Sequence, residues 1–320
     1  MSTLRKTVDP KVKPLNPTFK SPENIYFGIT PTSWWNDDFQ DIDANIPFEQ
    51  CVSEMALAGY VGCSMGHKYP TDLDVLKDKL ALRGLRVSEP WTSLFFTVEG
   101  KFEQTIEDFK KSLEIIKKLG GQDMVVAEFG NSLHLNPVSY FRKHPEFTEV
   151  QWQRLTKGLD IIGEIAAESG MRLCYHHHIG TGVQTRAQID RLMENTNPKY
   201  VHLLFDCGHL YIAGDDPLSL AKDHMHRIKH AHLKNVRIGV LEEAIKNQLS
   251  FKDAIKAGIF TVPGDVEAQL CIDFTAILQV FADNNFEGWL IVEAEQDPNK
   301  AYPLTYALLG RDCLRVITGF

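Results

Sequence analysis

Apolar and polar positions along the chain follow two alternating rhythms. Eight short runs, at 26–30, 60–65, 85–89, 123–128, 171–176, 201–206, 228–233 and 290–295, are nearly continuous in apolar residues. Such runs read as strands buried on both faces, the form taken by parallel sheets. Between them the period changes. Over 101–119, Phe102, Ile106, Phe109, Leu113, Ile116 and Leu119 recur at spacings of three and four, as on one face of a helix. Trp152, Leu155, Leu159, Ile162 and Ala166 repeat the pattern. Thr148 with Gln151, and Thr185 with Gln188, have capping-box spacing, and Asp216-Pro217 is a helix start. Gly59, Gly84, Gly120 and Gly170 stand at helix ends just before strands, where a left-handed cap is wanted.

Eight strand–helix units predict a (β/α)8 TIM barrel. A doubly wound sheet is the other reading, but it usually has fewer strands, and no G-x-G-x-x-G or P-loop pattern follows any run. Residues 1–24 are expected as a polar, proline-bearing N-terminal extension and 25–320 as a single barrel domain. One interval breaks the regular unit. Between Asn235 and a helix expected near Asp273 the chain is too long for a simple strand–helix loop and too apolar for a disordered tail. An insertion after the seventh strand, partly helical and covering the rim, is therefore expected.

The 320 residues are 43% hydrophobic and 24% charged, as in ordinary globular proteins, and the formal net charge of −8 argues against general affinity for nucleic acid or anionic membranes. The six cysteines are scattered with no C-x-x-C spacing, no signal-peptide core opens the chain, and no run reaches the roughly 20 apolar residues that span a bilayer. A reduced, cytoplasmic location is expected.

Candidate chemistry lies where the late strands end. Carboxylates and imidazoles at buried strand ends are costly unless paired, protonated or bound to a cation. Strand alternation puts Cys174 with His176, and next His178, on one face; Leu204 with Asp206; His230 with His232; Ile291 with Glu293 and Glu295. Turned inward, His176, Asp206, His232 and Glu293 surround one axis as expected metal ligands. Mixed nitrogen and oxygen donors suit Mn2+, Co2+, Fe2+ or Zn2+ better than Ca2+ or Mg2+. Of the other histidines, His202 reads as a hydrogen-bonded structural residue, His224 and His226 as solvated, and His134 and His144 as loop residues.

Asp206-x-x-His209, His230-x-His232 and Gly288-Trp289 leading to Glu293 resemble the xylose-isomerase-like barrels, which include sugar epimerases and apurinic endonucleases. Within that group the chain is most similar to the inosose dehydratase family. The matching stretches include Trp34-x-Asn36-Asp37-Asp38, the run from Glu54 to Gly59, Tyr175 to Thr185, Phe205 to Tyr211, His232-Leu233-Lys234, Phe260 to Asp265 and Glu293 to Pro298. The resemblance implies a metal-dependent lyase of inositol breakdown that removes water from 2-keto-myo-inositol. A ketone whose carbonyl and neighbouring hydroxyl chelate a metal has acidic α-protons, because the cation stabilises the enediolate. Base candidates are Glu295, His178 and Glu128, and His209 is a candidate acid. Trp34, Asn36, Gln184 and Lys234 are expected to contact a cyclic polyol ketone. Mn2+ or Co2+ is the implied metal, with Zn2+ and Fe2+ as alternatives. Glutathione as a cofactor, and a homo-oligomer, belong to the implications of the resemblance alone.

The chain departs from the family at Asn235, where Asp is usual, and at Ser64, where Glu is frequent. The turn Gly264-Asp265-Val266 and the residues to Cys271 are also altered. These changes leave the substrate's identity open within the reaction class and point to 266–271 as a place where preference changes. Three other readings compete. An isomerase or epimerase of a keto-sugar would use the same metal site. A phosphodiesterase of the endonuclease type would want more inward histidines on the early strands and a basic surface. A non-catalytic sugar-binding barrel would not need the acidic and imidazole set.

Overall fold

The computed structural model describes residues 5–139, 141 and 144–320. Its strands are β1 Ile25–Ile29, β2 Gly62–Cys63, β3 Arg86–Val87, β4 Trp91–Leu94, β5 Asp123–Glu128, β6 Arg172–His176, β7 Val201–Asp206, β8 Ile228–Leu233, β9 Asn235–Val236, β10 Phe260–Thr261 and β11 Gly288–Val292. Nine of them form one curled sheet in the order β3-β2-β1-β11-β8-β7-β6-β5-β4, and every pairing in it is parallel.

Nine strands make eight staves because the third is broken. The run 85–89 stops pairing at Val87, which lies beside Cys63, and the chain re-enters the wall as β4, which pairs with β5. Pro90 stands at the break and has no N–H for the ladder. Residues 88–90 thus carry the wall across the gap and close a (β/α)8 barrel. The second stave is shorter than expected, with Gly62–Cys63 alone in the ladder.

The helices pack outside the barrel. Helix Phe102–Leu119 buries Ile106, Phe109, Leu113, Ile116 and Leu119, the positions its period marks, and stops at Gly120, whose φ of 80° is left-handed. Both expected capping boxes form, at the starts of helices Glu149–Glu168 and Arg186–Glu194. The main core lies between helices and sheet, while Val125, Cys174 and Leu204 form a separate apolar cluster.

The interval after β8 holds structure of its own. Strands β9 and β10 pair antiparallel, with Phe260 opposite Val236, and helices Ile238–Lys246 and Phe251–Ala257 lie between them. Arg237 ties this unit together: its Nη1 donates to the Gly258 and Phe260 carbonyls at 2.7 and 3.0 Å, and its Nη2 to Asp265 at 2.9 Å. Within the described part of the lead, Leu15 and Phe19 are buried, and the Asp9 and Leu15 amides donate to the Gly264 and Ile317 carbonyls.

Candidate metal centre and active site

Strand β6 ends at His176 and β7 at Asp206; His232 is the penultimate residue of β8, and Glu293 follows β11 directly. Register sets Asp206 beside His232, and His232 beside Ile291, two residues before Glu293. One donor atom from each of His176, Asp206, His232 and Glu293 lies within 4.8 Å of the others. His176 Nδ1 lies 2.6 Å from the His177 carbonyl, so the ring donates there and turns its Nε2 lone pair toward Asp206 Oδ2 at 3.5 Å. His232 Nδ1 is 2.7 Å from Glu293 Oε2 and 3.9 Å from Asp206 Oδ2. Asp206 is held in place by its other oxygen, which accepts the His209 amide at 2.8 Å and caps helix Cys207–Ile212.

A second constellation adjoins the first. The donor atoms of His178, His209 and Glu295 also lie within 4.8 Å of one another. Lys234, wholly buried, donates to His209 Nε2 at 2.7 Å and to Glu295 Oε1 at 3.0 Å, and stands 3.1 Å from Glu293. Its stem passes so close to the start of helix Cys207–Ile212 that a Cβ on Gly208 would fall 2.5 Å from Lys234 Cγ. The motif Asp206-x-Gly208-His209 is thus shaped to admit the lysine.

The field in this pocket is negative. Burial alone would discourage charge on His232, but Glu293 and Glu89 outweigh it and hold the imidazole at about 10. Burial likewise opposes ionisation of Asp206 and Glu293; Lys234 and the imidazoles reverse this and keep both carboxyls below their usual range. Glu295 is different: burial lifts it, against Lys234, to about 7. Asp206 Oδ2 and both oxygens of Glu89 are buried without a hydrogen-bond partner. Three buried carboxylates around one ammonium, a fourth in Glu89 beside His232, unpartnered oxygens and an aligned imidazole lone pair fit a divalent cation.

A cavity of about 140 Å3 opens over the cluster, walled by His176, His178, His232, Glu293 and Glu295, with Asn36, Ser64, Glu89 and Trp91 among the other lining residues. Several expected contacts stand elsewhere. Trp34 is fully buried and its indole donates to Glu54 Oε2 at 2.7 Å, so it packs rather than faces a ligand. The Gln184 side chain accepts the Gly180 amide at 2.7 Å and is not in the wall. Glu128 accepts from the Phe96 and Gly130 amides and the Thr97 hydroxyl, at 2.9, 3.0 and 2.8 Å, which clamps the loop beyond β4. Asn36 lines the cavity, although its Oδ1 accepts the Asp38 and Phe39 amides. Lys234 and His209 sit behind the wall. His177 faces away, accepting the Asp206 amide on Nε2 at 3.2 Å.

Three residues at the site escape the sequence reading. Glu89 and Trp91 flank the break at Pro90 and both line the cavity. Trp91 is 42% exposed, enough to leave its ring open to a ligand, and lies 5.5 Å from His176 and 5.3 Å from Phe129. His134, read as a loop residue, is buried with its ring 5.6 Å from His178. Glu89 carries a usable signal, as the terminal acid of an apolar run. Helix Phe251–Ala257 of the insertion brings Phe251 to 5.7 Å from His178 and 6.4 Å from His209, so the insertion does pack against this constellation. Its later part does not reach the cavity. Asn235 donates to the Val262 carbonyl inside the insertion, and no residue of 266–271 lines the wall, which removes the ground for placing a change of preference there.

Eight parallel staves with a histidine–carboxylate cluster at their carboxyl ends define the class, a xylose isomerase-like TIM barrel, and the model of that family matches residues 52–314. The inosose dehydratase of Geobacillus thermodenitrificans is 47% identical over 296 residues, 92% of this chain and 98% of that protein. Inosose dehydratase 1 of Bacillus cereus is 45% identical over the same shares. The chain belongs to the inosose dehydratase family. Among solved structures, an IOLI protein with a bound zinc atom superposes with a TM-score of 0.66 at 15% identity, over 92% of this chain and 98% of that one, a likeness of fold.

Proposed function

We propose that the chain is a metal-dependent hydro-lyase that eliminates water from 2-keto-myo-inositol or a close inosose. The observation that carries this is the four-donor cluster of His176, Asp206, His232 and Glu293 at a cavity whose wall also holds Glu295 and His178. Those four residues would hold the ion, with Mn2+ or Co2+ as the proposed species and Zn2+ or Fe2+ as competitors. When bound, a divalent ion supplies Lewis acidity at the ketone oxygen and so acidifies the neighbouring C–H.

The remaining chemistry falls to the chain's own groups. Glu295 is the proposed proton acceptor, the carboxylate of the second constellation that reaches the cavity. Lys234, bonded to Glu295, compensates its charge and fixes its direction. As the α C–H bond breaks, its electrons form the C=C bond and the β C–O bond breaks. The departing hydroxide takes up the proton that Glu295 has accepted and leaves as water, which returns Glu295 to its carboxylate form. His178 donates from Nδ1 to the Ile179 carbonyl at 2.7 Å, so its Nε2 is free to accept from a substrate hydroxyl. His209, its ring centroid 3.9 Å from that of His178 and tilted by 43°, holds that ring in place. Trp91 takes the part expected of Trp34, an open ring for the C–H face of a polyol. Six unpaired cysteines accord with a reducing, cytoplasmic setting.

The test follows ultraviolet absorbance and α-proton exchange on 2-keto-myo-inositol in deuterated water. Elimination raises the absorbance through a conjugated product, and Glu295→Gln should lose both exchange and absorbance while retaining its metal. Exchange without any rise in absorbance would replace this reading with an isomerase.

A further inference from the structure

Glu89 lines the cavity, yet neither the four-donor cluster nor the proton transfer includes it. Both of its oxygens are buried without a hydrogen-bond partner. Oε2 stands 3.4 Å from His230 Nε2, and Oε1 stands 3.4 Å from His232 Nε2. Behind it, His230 Nδ1 lies 2.8 Å from Asp123 Oδ2. Asp123 in turn accepts from Arg172 Nε and Nη2 at 2.6 and 2.8 Å. A line of alternating charge therefore runs from Arg172, at the start of β6, through Asp123, His230 and Glu89 to His232 at the rim.

An imidazole that gives one nitrogen to a cation keeps a single proton, on its other nitrogen. His232 meets a carboxylate at each: Glu293 at Nδ1 and Glu89 at Nε2. A cation shared with Asp206 and Glu293 requires the lone pair at Nδ1, so the proton has to stay on Nε2. Among the described residues, Glu89 is the carboxylate that faces Nε2. We infer that Glu89 is a positioning residue, which keeps the proton of His232 on Nε2 and so presents the Nδ1 lone pair to a divalent ion. This rests on His232 being a ligand, as proposed above. The pattern is that of a carboxylate–histidine–metal triad, in which removing the outer carboxylate weakens metal binding about 10- to 100-fold. Arg172 and Asp123 keep His230 facing Glu89 and hold the carboxylate in line.

Competition titration of Mn2+, Co2+ and Zn2+ against a chromophoric chelator tests this on the wild type, Glu89→Gln, Glu89→Asp and Glu89→Ala. Glu89→Gln keeps the shape and removes the charge. It should raise the metal dissociation constant by about 10- to 100-fold. One ion per chain should still bind at saturation, and the melting temperature of the metal-free protein should stay close to that of the wild type. Glu89→Asp should recover part of the affinity, which loss of packing alone would not give. Should Glu89→Ala not fold, the Gln and Asp variants decide the matter. Equal affinity in wild type and Glu89→Gln overturns the role of Glu89 and leaves the metal site standing. A wild type with two ions per chain, one lost in Glu89→Gln, also overturns it, because Glu89 would then be a ligand. A wild type that binds no ion overturns the metal reading, and this inference with it.

Discussion

Two tryptophans separate packing from recognition at the scale of single residues. The Trp34 indole closes onto Glu54, whose other oxygen accepts from Gln50 at 2.9 Å, so two stretches of the family's pattern meet in a buried hydrogen bond. Trp34→Phe should therefore lower stability by about 1–3 kcal/mol through the unpaired carboxylate oxygen, with KM little changed. Trp91→Ala should do the reverse, raising KM by up to about tenfold if an aromatic face contributes about 1 kcal/mol, with stability nearly intact. Steady-state kinetics and thermal unfolding of the pair check the split; a raised KM in Trp34→Phe alone would return the platform to Trp34. The same scale shows where reading the sequence succeeds and fails. Glu89 and Glu128 both end apolar runs, so the cost of burying a strand-end acid marks them equally. Glu128 stands among the expected bases, and Glu89 does not. What distinguishes them is direction: Glu128 turns back onto amides of its own neighbourhood, while Glu89 faces two imidazoles. Period-two alternation fixes a face but not the partner on it.

At the scale of elements, the broken third stave and the insertion shape the site. Pro90, directly after the run 85–89, has no N–H to continue a ladder, and the break there turns Glu89 and Trp91 into the mouth of the barrel. The eight runs, the capped helices and the late strand ends were legible because each follows a local period or a fixed spacing. The packing of helix Phe251–Ala257 against His178 and His209 was legible only as a need to bury apolar residues, since no local rule states which face an insertion covers. Across the strand starts, burial alone would raise the Asp123 carboxyl, yet His230 and Arg172 outweigh it and hold it below the ordinary range. A carboxyl lowered in the folded state adds stability above its unfolded value near pH 4, and that stability is lost as pH falls through the folded value. Unfolding of the wild type should thus steepen with acid below about pH 4. Asp123→Asn should flatten that limb and lower stability at pH 7 by about 3–5 kcal/mol, because Arg172 and His230 lose their shared partner. Denaturant unfolding from pH 7 to pH 3 measures both, and an unchanged acid limb in Asp123→Asn would refute the linkage.

At the scale of the whole molecule, the barrel gathers acids and imidazoles from strands β6, β7 and β8 and from the residues beyond β11 onto one end, inside a chain of net charge −8. Lys234 compensates part of that charge from behind the wall, and the remainder is the reason the cluster suits a cation. Family membership places the chain among the inosose dehydratases; the reaction proposed for it depends on that cation being held by these four side chains. The measurement that bears on this most directly is the metal content of the purified protein, by elemental analysis, beside Asp206→Ala and Glu293→Ala shown to be folded. One divalent ion per chain in the wild type, lost or sharply reduced in both variants, is the predicted result. Wild-type metal content in both variants, or no ion in a wild type that still converts substrate after chelation, would contradict it.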